Sequence, residues 1–372
     1  MKILITGGLG FIGIELARKL LAAQHDVTLL DNLSVQIHGD LPNVCIPGGA
    51  KVVRMDICDI ADQPRLIDGV DAVFHLAAET GTAQSMYQMA HYTRVNCDGT
   101  AALLEAIARC ISRPKQVVLA SSRSVYGEGA YTLADAQGPL VPAVARTRDD
   151  LEAGRWEPVD ALGRPLSVVP TPESLPFAPG SVYAATKASQ ELLISSAIIA
   201  LGVRATIFRF QNVYGEGQSL RNPYTGIISI FFNRARQGLE IPVYEDGLES
   251  RDFVHVSDVV DALAATLETP LPNGIILNVG AGVPTSVSHL AATLLKVSGF
   301  DVPVRVTGQY RLGDIRHCYA DVSQAAKYLG FSPKISLENG LWRFCNWAAT
   351  QPVHKDRSAH AEAELKERGL TS

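Results

Sequence analysis

Tyr183 and Lys187 stand four residues apart in VYAATKASQELL, a stretch whose apolar residues recur at helical spacing. An i,i+4 pair shares one helix face, one turn apart. An ammonium beside a phenol stabilises the phenolate and lowers the phenol pKa. A tyrosine so tuned can remove a proton from a sugar hydroxyl near neutral pH. Ser122, in VVLASSRSVYG, can hydrogen-bond the same oxygen. YxxxK alone recurs by chance in many helices, so its meaning depends on the elements that position it.

Those elements start at the first residue. Lys2-Ile3-Leu4-Ile5 is a short apolar run, TGGLGFIG follows at 6–13, and IELARKLL at 14–21 has helical spacing. A buried strand therefore turns through Gly7, Gly10 and Gly13 into a helix. Glycines allow a tight turn, close approach of a pyrophosphate and close helix–strand packing, and N–H groups at a helix start favour an anion. Asp26–Asp31 reads as a second strand ending in an acid 18 residues beyond Gly13. That acid either caps a loop or holds the adenosine ribose. With the glycines in register the ribose reading is preferred, and it favours NAD over NADP because a 2′-phosphate would be repelled.

Further strands are expected over 51–57, 70–78 and 117–120, and a long helix over 92–110. Alternating strands and helices imply a Rossmann-type doubly wound parallel sheet, with ligands at the C-terminal strand ends. Asp56, with Ile57, ends the third strand and can accept from an adenine amino group. Leu76, Ala77 and Ala78 end the fourth, where the small pair leaves room for cofactor. Asn96 can turn its amide inward from the long helix, and Ser121 and Ser122 face the cofactor crevice. His75 reads as a packed strand residue. Helices are expected over 222–237 and from Val256, with Asp258 as an N-terminal cap, and a strand over 274–280.

The chain has 372 residues, 47% of them hydrophobic, enough for a large α/β unit and a second lobe. The net charge of −5, without a basic run, points to neither nucleic acid nor a membrane surface. No signal peptide or membrane-length apolar run is read. Six scattered cysteines without a CxxC pair read as reduced thiols in a cytoplasmic protein with no metal site.

From residue 1 to about 350 the chain resembles the extended short-chain dehydrogenase/reductases that act on nucleotide sugars. The likeness rests on TGGLGFIG, DNLS at 31–34, HLAA at 75–78, SSRSVYG at 121–127, YAATK at 183–187, RFQNVYGEGQ at 209–218, RDFVHVSDVV at 251–260 and RLGDIRHCYAD at 311–321. The resemblance implies NAD as cofactor, with Gly7, Gly10, Phe11 and Ile12 along its pyrophosphate, Asp31 and Asn32 on the adenosine ribose, and Asp56 and Ile57 on the adenine. Tyr183 would be the general base, Ser122 its partner, and Lys187 would also hold the nicotinamide ribose, with Phe210 flanking the nicotinamide. Asn212 would contact the sugar diphosphate, Arg251 and Arg311 would clamp phosphate, Tyr244 would stack on the base, and Asp314 would reach its ribose. Asn222, Tyr224 and Thr225 are candidate sugar contacts. The resemblance also implies a homodimer through residues 92–110 and 183–201. The expected division is an NAD-binding domain over 1–212, a smaller C-terminal α/β substrate lobe over 213–352 and a tail over 353–372, frayed or solvent-facing.

Departures from the family narrow the reaction. Its 4,6-dehydratases carry an Asp-Glu pair directly after the catalytic threonine, where this chain has Arg123 and Ser124. Its glucuronate decarboxylases usually keep a Glu in this segment, also missing. What remains is removal and return of hydride at C4 through a transient 4-keto sugar, a 4-epimerase. The rivals are a net oxidoreductase on a 4-keto sugar and a non-catalytic dinucleotide sensor. Arg123 either points to solvent or reads a substrate group. Cys318 is either a small residue at a position that limits bulk on the sugar or a plain buried thiol. The proline-rich insertion 128–180 is either a lid or subunit contact, or a neutral surface insertion. QNVYGEGQSLRNPYTGI at 211–227 and the insertion resemble dTDP-L-rhamnose 4-epimerase-like proteins, which makes a deoxysugar on dTDP the leading substrate expectation, with a UDP-hexose as alternative.

Overall fold

The computed structural model describes residues 1–39, 44–134, 138–222, 226–353, 363–364 and 366–371. Seven strands form one sheet: Lys2–Thr6 (β1), Asp26–Asp31 (β2), Lys51–Arg54 (β3), Ala72–His75 (β4), Gln116–Ser122 (β5), Arg204–Phe210 (β6) and Ile275–Val279 (β7). Their order is β7–β6–β5–β4–β1–β2–β3, and every neighbouring pair is parallel. Parallel sheets need both faces covered, which is why the central strands are apolar nearly throughout rather than alternating. On one face β1 residues Ile3 and Ile5 pack with the helices Phe11–Ala22 (α1) and Val256–Ala265; on the other, Leu4 packs with Leu103, Ile107 and Ile194. The helix Val182–Leu201 (α2) lies on that second face and carries Tyr183 in its first turn. Ser181 caps it, accepting from the Ala184 N–H at 3.1 Å.

The expected boundary at residue 213 does not separate two contiguous units. β7 pairs with β6 inside the large sheet, and Val256, Val259, Val260 and Leu263 belong to the same core as Ile3 and Ile5. The apolar run Ile275–Val279 is buried by closing that sheet edge. The smaller lobe is built from the helices Ile227–Arg236, Val287–Ser298 and Leu337–Ala349, with Ile241–Val243 paired in parallel to Val304–Val306. Its own core is Phe231, Phe232, Leu290, Leu294, Leu341 and Phe344.

Three further expectations change. The long helix begins at Met89, and its middle, Arg94–Asp98, is a π-helical turn before Gly99–Arg109. The strands expected over 51–57 and 70–78 stop at Arg54 and His75, and Ile57–Asp62 is a 3₁₀ turn capped by Asp56. The insertion forms an antiparallel hairpin, Ala130–Leu133 with Leu166–Val169, and a short helix, Arg148–Glu152, with a Thr147 capping box. Arg316, fully buried, fastens it: the guanidinium donates to Glu157 at 2.6 Å, Glu245 at 2.9 Å and Asp246 at 2.7 Å. From the insertion side, Arg146 donates to Glu245 at 2.8 Å and to the Asp314 carbonyl at 2.8 Å.

The described part of the tail is docked, not solvent-facing throughout. Leu312 N–H donates to Leu370 O at 3.1 Å, and the Thr371 hydroxyl to Tyr310 O at 2.8 Å. Arg368 lies over the Tyr87 ring at 4.2 Å. Among the described residues no helix is long and apolar enough to cross a membrane, and no cluster of side chains could hold a metal.

Candidate active site

One cleft of about 1160 Å³ runs along the C-terminal strand ends, from the glycine turn to Tyr244, Arg311 and Asp314 in the smaller lobe. Its glycine end is shaped by close approach. Gly7 has φ of +65°, and a Cβ there would lie 2.8 Å from the Ala77 nitrogen. A Cβ on Gly13 would lie 2.5 Å from the Gly7 carbonyl oxygen, so helix and turn touch through it. Gly10, the residue before α1, opens on the cleft, with the Gly7 carbonyl at 3.2 Å as the one described atom near a Cβ. This backbone cradle at a helix start fits a pyrophosphate. Phe11, Ile12, Asn32, Ile57, Leu76, Ala77 and Ala78 line the same end.

Asp31 accepts from Leu9 N–H at 3.0 Å and from Leu33 N–H at 2.8 Å, so it holds the glycine turn as well as facing the cleft. His38, which sequence reasoning missed, stands 3.6 Å from it. Asp56 is not on the cleft wall. It accepts from Cys58 N–H at 3.0 Å and from the Asn32 amide at 3.1 Å; these bonds outweigh its burial and hold its carboxyl below the usual range. Asn96, in the π turn, is fully buried. Its amide exchanges hydrogen bonds with the Glu79 backbone, at 2.8 and 3.2 Å, and donates to Thr186 at 2.9 Å. Both residues therefore position the wall rather than form it. A π turn turns one extra residue inward, which is how the buried amide comes to face α2.

At the catalytic end, Tyr183, Ser122, Lys187 and Phe210 line the cleft together. Burial pushes the Tyr183 phenol up, and the hydrogen bond to Ser122 and the Arg123 cation pull it partly back. The expected lowering by Lys187 is not what the ligand-free chain shows. Lys187 Nζ donates to Ala120 O and to Gln190 Oε1, both at 2.7 Å, and burial lowers its pKa to about 7. Gln190 in turn donates to Thr100 at 2.7 Å, and Thr100 sits 2.9 Å from His75, whose other ring nitrogen meets Thr6 at 2.8 Å. His75 is thus a packed, neutral residue, its pKa pushed down to about 3 by burial. Ser121 lines the cleft as expected, and its hydroxyl donates to Glu191, which is ion-paired to Arg209 at 2.9 Å. Gln190 and Glu191 follow Lys187 in sequence, but nothing in the spacing marks them as its supports.

In the smaller lobe the structure brings Asn212, Tyr244, Arg251, Arg311 and Asp314 to the cleft. Arg311 lies over the Tyr244 ring at 4.8 Å. Burial would raise the Asp314 carboxyl, but Arg251, Arg311, Arg123 and Arg146 outweigh it and hold it low. Arg146 is paired with Glu245, and the three guanidiniums that line the cleft beside Asp314, those of Arg123, Arg251 and Arg311, suit a polyanion. Arg123 does not face open solvent: it lines the cleft, and its Nε donates to Asn212 Oδ1 at 2.7 Å. Cys318 is fully buried and off the cleft wall, 3.9 Å from the Thr171 hydroxyl, in register with Arg251 on paired strands. Its full burial away from the cleft favours the plain thiol reading. Asn222 is buried and also off the wall; Tyr224 and Thr225 lie outside the described residues. Glu249 lines the cleft unforeseen, with its carboxyl pushed by burial up to about 7.

Such a cleft, with a glycine cradle at one end, a tyrosine–serine pair at the middle and a cationic far end, defines a dinucleotide-dependent enzyme acting on an anionic substrate. The chain belongs to the NAD dependent epimerase/dehydratase family, whose model matches residues 3–145 and 161–280. It is 38% identical to a dTDP-L-rhamnose 4-epimerase of Burkholderia thailandensis over 95% of this chain and 97% of that one. A dTDP-glucose 4,6-dehydratase of Streptomyces griseus is 30% identical, over 96% and 95%. A UDP-glucose 4-epimerase of Thermotoga maritima, solved with UDP-glucose, superposes with a TM-score of 0.76 at 28% identity, over 94% and 99%. The epimerases among its relatives place the protein with the isomerases of this NAD-dependent family.

Proposed function

We propose that the protein is a nucleotide-sugar 4-epimerase, acting on a dTDP- or UDP-linked hexose or deoxyhexose, with a dTDP-deoxysugar first. One observation carries the reading. The turn after Ser122, at the sugar end of the cleft, presents a guanidinium and a hydroxyl, Arg123 and Ser124, where an elimination would need carboxylates. Ser124 donates to Ser122 at 3.0 Å and so joins the proton-transfer site as a hydroxyl.

In this reading Gly7, Gly10, Phe11, Ile12 and Gly13 hold the NAD pyrophosphate, Asp31 and Asn32 the adenosine ribose, and Ile57, Leu76, Ala77 and Ala78 the adenine side. NAD held there would supply reversible hydride chemistry at C4 of the sugar. Tyr183 Oη takes the proton of the C4 hydroxyl and later gives it back. Ser122 orients that oxygen, and Phe210 closes the wall behind the ring. Tyr183 is the second residue of α2, where the helix dipole favours negative charge. Tyr244, Arg311 and Asp314 hold the nucleoside end. A homodimer through 92–110 and 183–201 is supported by Leu192 and Ile199, exposed at 56% and 82% on α2, and light scattering of the purified protein tests it.

The test of the reaction type is absorbance at the reduced-nicotinamide band during turnover. An epimerase converts substrate with no net accumulation and no added cofactor. A stoichiometric rise or fall, with free exchange of cofactor, would establish a net oxidoreductase instead.

A further inference from the structure

Two arginines at the far end of the cleft are expected to clamp phosphate, yet one of them is already engaged. Arg251 Nη1 donates to the carbonyls of Ser250 and Arg316 at 2.9 and 3.0 Å, and Nη2 donates to Asp314 Oδ1 at 3.1 Å and to Ile315 O at 2.6 Å. Its fork is spent on the fold of the Asp314 segment. Arg123 is different. Its Nε is fixed on Asn212 at 2.7 Å, which orients the plane of the guanidinium. Among the described residues neither Nη1 nor Nη2 has a hydrogen-bond partner, and the residue lines the cleft. It directly follows Ser122 and lies within electrostatic reach of Tyr183, Arg251 and Asp314. A half-buried guanidinium without an anion is costly, and a fork pre-oriented through its Nε is suited to two oxygens of one phosphate or carboxylate.

We propose that Arg123 is a substrate-binding residue whose η nitrogens hold the sugar-proximal phosphate of a nucleoside diphosphate. The inference rests on the nucleotide-sugar reading above. In such a substrate the sugar-proximal phosphate lies between the reacting ring and the nucleoside, and Arg123 is within electrostatic reach both of Tyr183 and of Arg251 and Asp314. Asn212 then acts as the brace of the guanidinium as well as a wall residue.

The experiment is calorimetric titration of the purified holoenzyme with the pairs dTDP and dTMP, and UDP and UMP. It is run on the wild type, on Arg123→Gln and on Arg123→Lys. The monophosphates lack the group that Arg123 holds, so they report the nucleoside end and the integrity of the fold. The expected result is a loss of about 10- to 100-fold in diphosphate affinity for Arg123→Gln, the range of a charge-assisted pair. Arg123→Lys should fall between, because it keeps the charge and loses the fork. Monophosphate affinity should stay within about twofold of wild type. Equal diphosphate affinity in wild type and Arg123→Gln would overturn the inference. So would a loss shared equally by mono- and diphosphates. If the wild type binds neither diphosphate, the nucleotide-sugar reading itself fails and the inference falls with it.

Discussion

Lys187 Nζ stands 2.7 Å from Gln190 Oε1 and 2.7 Å from the Ala120 carbonyl, and no hydrogen bond joins it to Tyr183. Its pKa is lowered to about 7 by burial while the Tyr183 phenol is raised, so one proton leaves the pair near neutrality. That proton is the ammonium's, and its loss leaves a neutral lysine beside a neutral phenol. The active form is the deprotonated pair. The kcat/KM profile should therefore rise with pH through an apparent pKa near 7. In Lys187→Met only the raised phenol remains to titrate, so the rise should move above pH 10. An unchanged profile would show that Lys187 takes no part in the proton transfer.

Tyr183→Phe keeps the ring and its packing and removes the oxygen that moves the proton. Turnover should fall by about 10²- to 10⁴-fold, with cofactor content of the purified protein unchanged. A variant of wild-type rate would end the role assigned to Tyr183. Loss of cofactor together with rate would mean that the phenol mainly holds the dinucleotide.

Glu249 lines the cleft and its carboxyl titrates at about 7, raised by burial. The group is neutral below that pH and anionic above it, so a rise in pH places a negative charge beside a polyanion. Diphosphate binding should weaken about three- to tenfold between pH 6 and 8, and Glu249→Gln should flatten that dependence. Titration at the two pH values in both proteins checks it.

Arg316 is fully buried among Glu157, Glu245 and Asp246, and Glu245 is itself buried. Removing one partner from a buried ion pair leaves uncompensated charge, at a cost of about 3–5 kcal/mol. Arg316→Met should lower the urea midpoint. It should also expose the insertion around 146–160 to proteolysis before the rest of the chain. Loss of stability without early cleavage there would mean that other contacts hold the insertion.

The described tail, through Leu370 and Thr371, is bonded to Leu312 and Tyr310 beside Arg311. Deleting 363–372 should raise KM for the nucleotide sugar about three- to tenfold, the scale of one or two lost hydrogen bonds, with cofactor content unchanged.

The strand–glycine–helix start, Asp31 and the Tyr183–Lys187 spacing were legible because short-range periodicity and turn chemistry dictate them. The seventh strand was expected over 274–280, but its place in the large sheet was not legible, because the same run fits a separate lobe equally well; only its pairing with β6 decides. Which way a side chain faces was the weaker inference. Ser121 lines the cleft at the foreseen strand end, yet its hydroxyl serves Glu191, and Cys318 is off the cleft wall although its register partner Arg251 lines it. The short helix that Thr147 caps in the insertion was not foreseen, and the fastening to Arg316 depends on residues far apart in the chain.

The central claim is inversion at C4 through a 4-keto sugar with cofactor retained. The most direct measurement is proton NMR of dTDP-L-rhamnose, UDP-glucose, UDP-N-acetylglucosamine and UDP-glucuronate, each incubated with enzyme and no added NAD. The account predicts a new anomeric signal with one of them, reaching the same fixed ratio when the reaction is started from either epimer. Silence across the panel from protein that carries NAD, or a product with a C5–C6 double bond or a lost carboxylate, would contradict it.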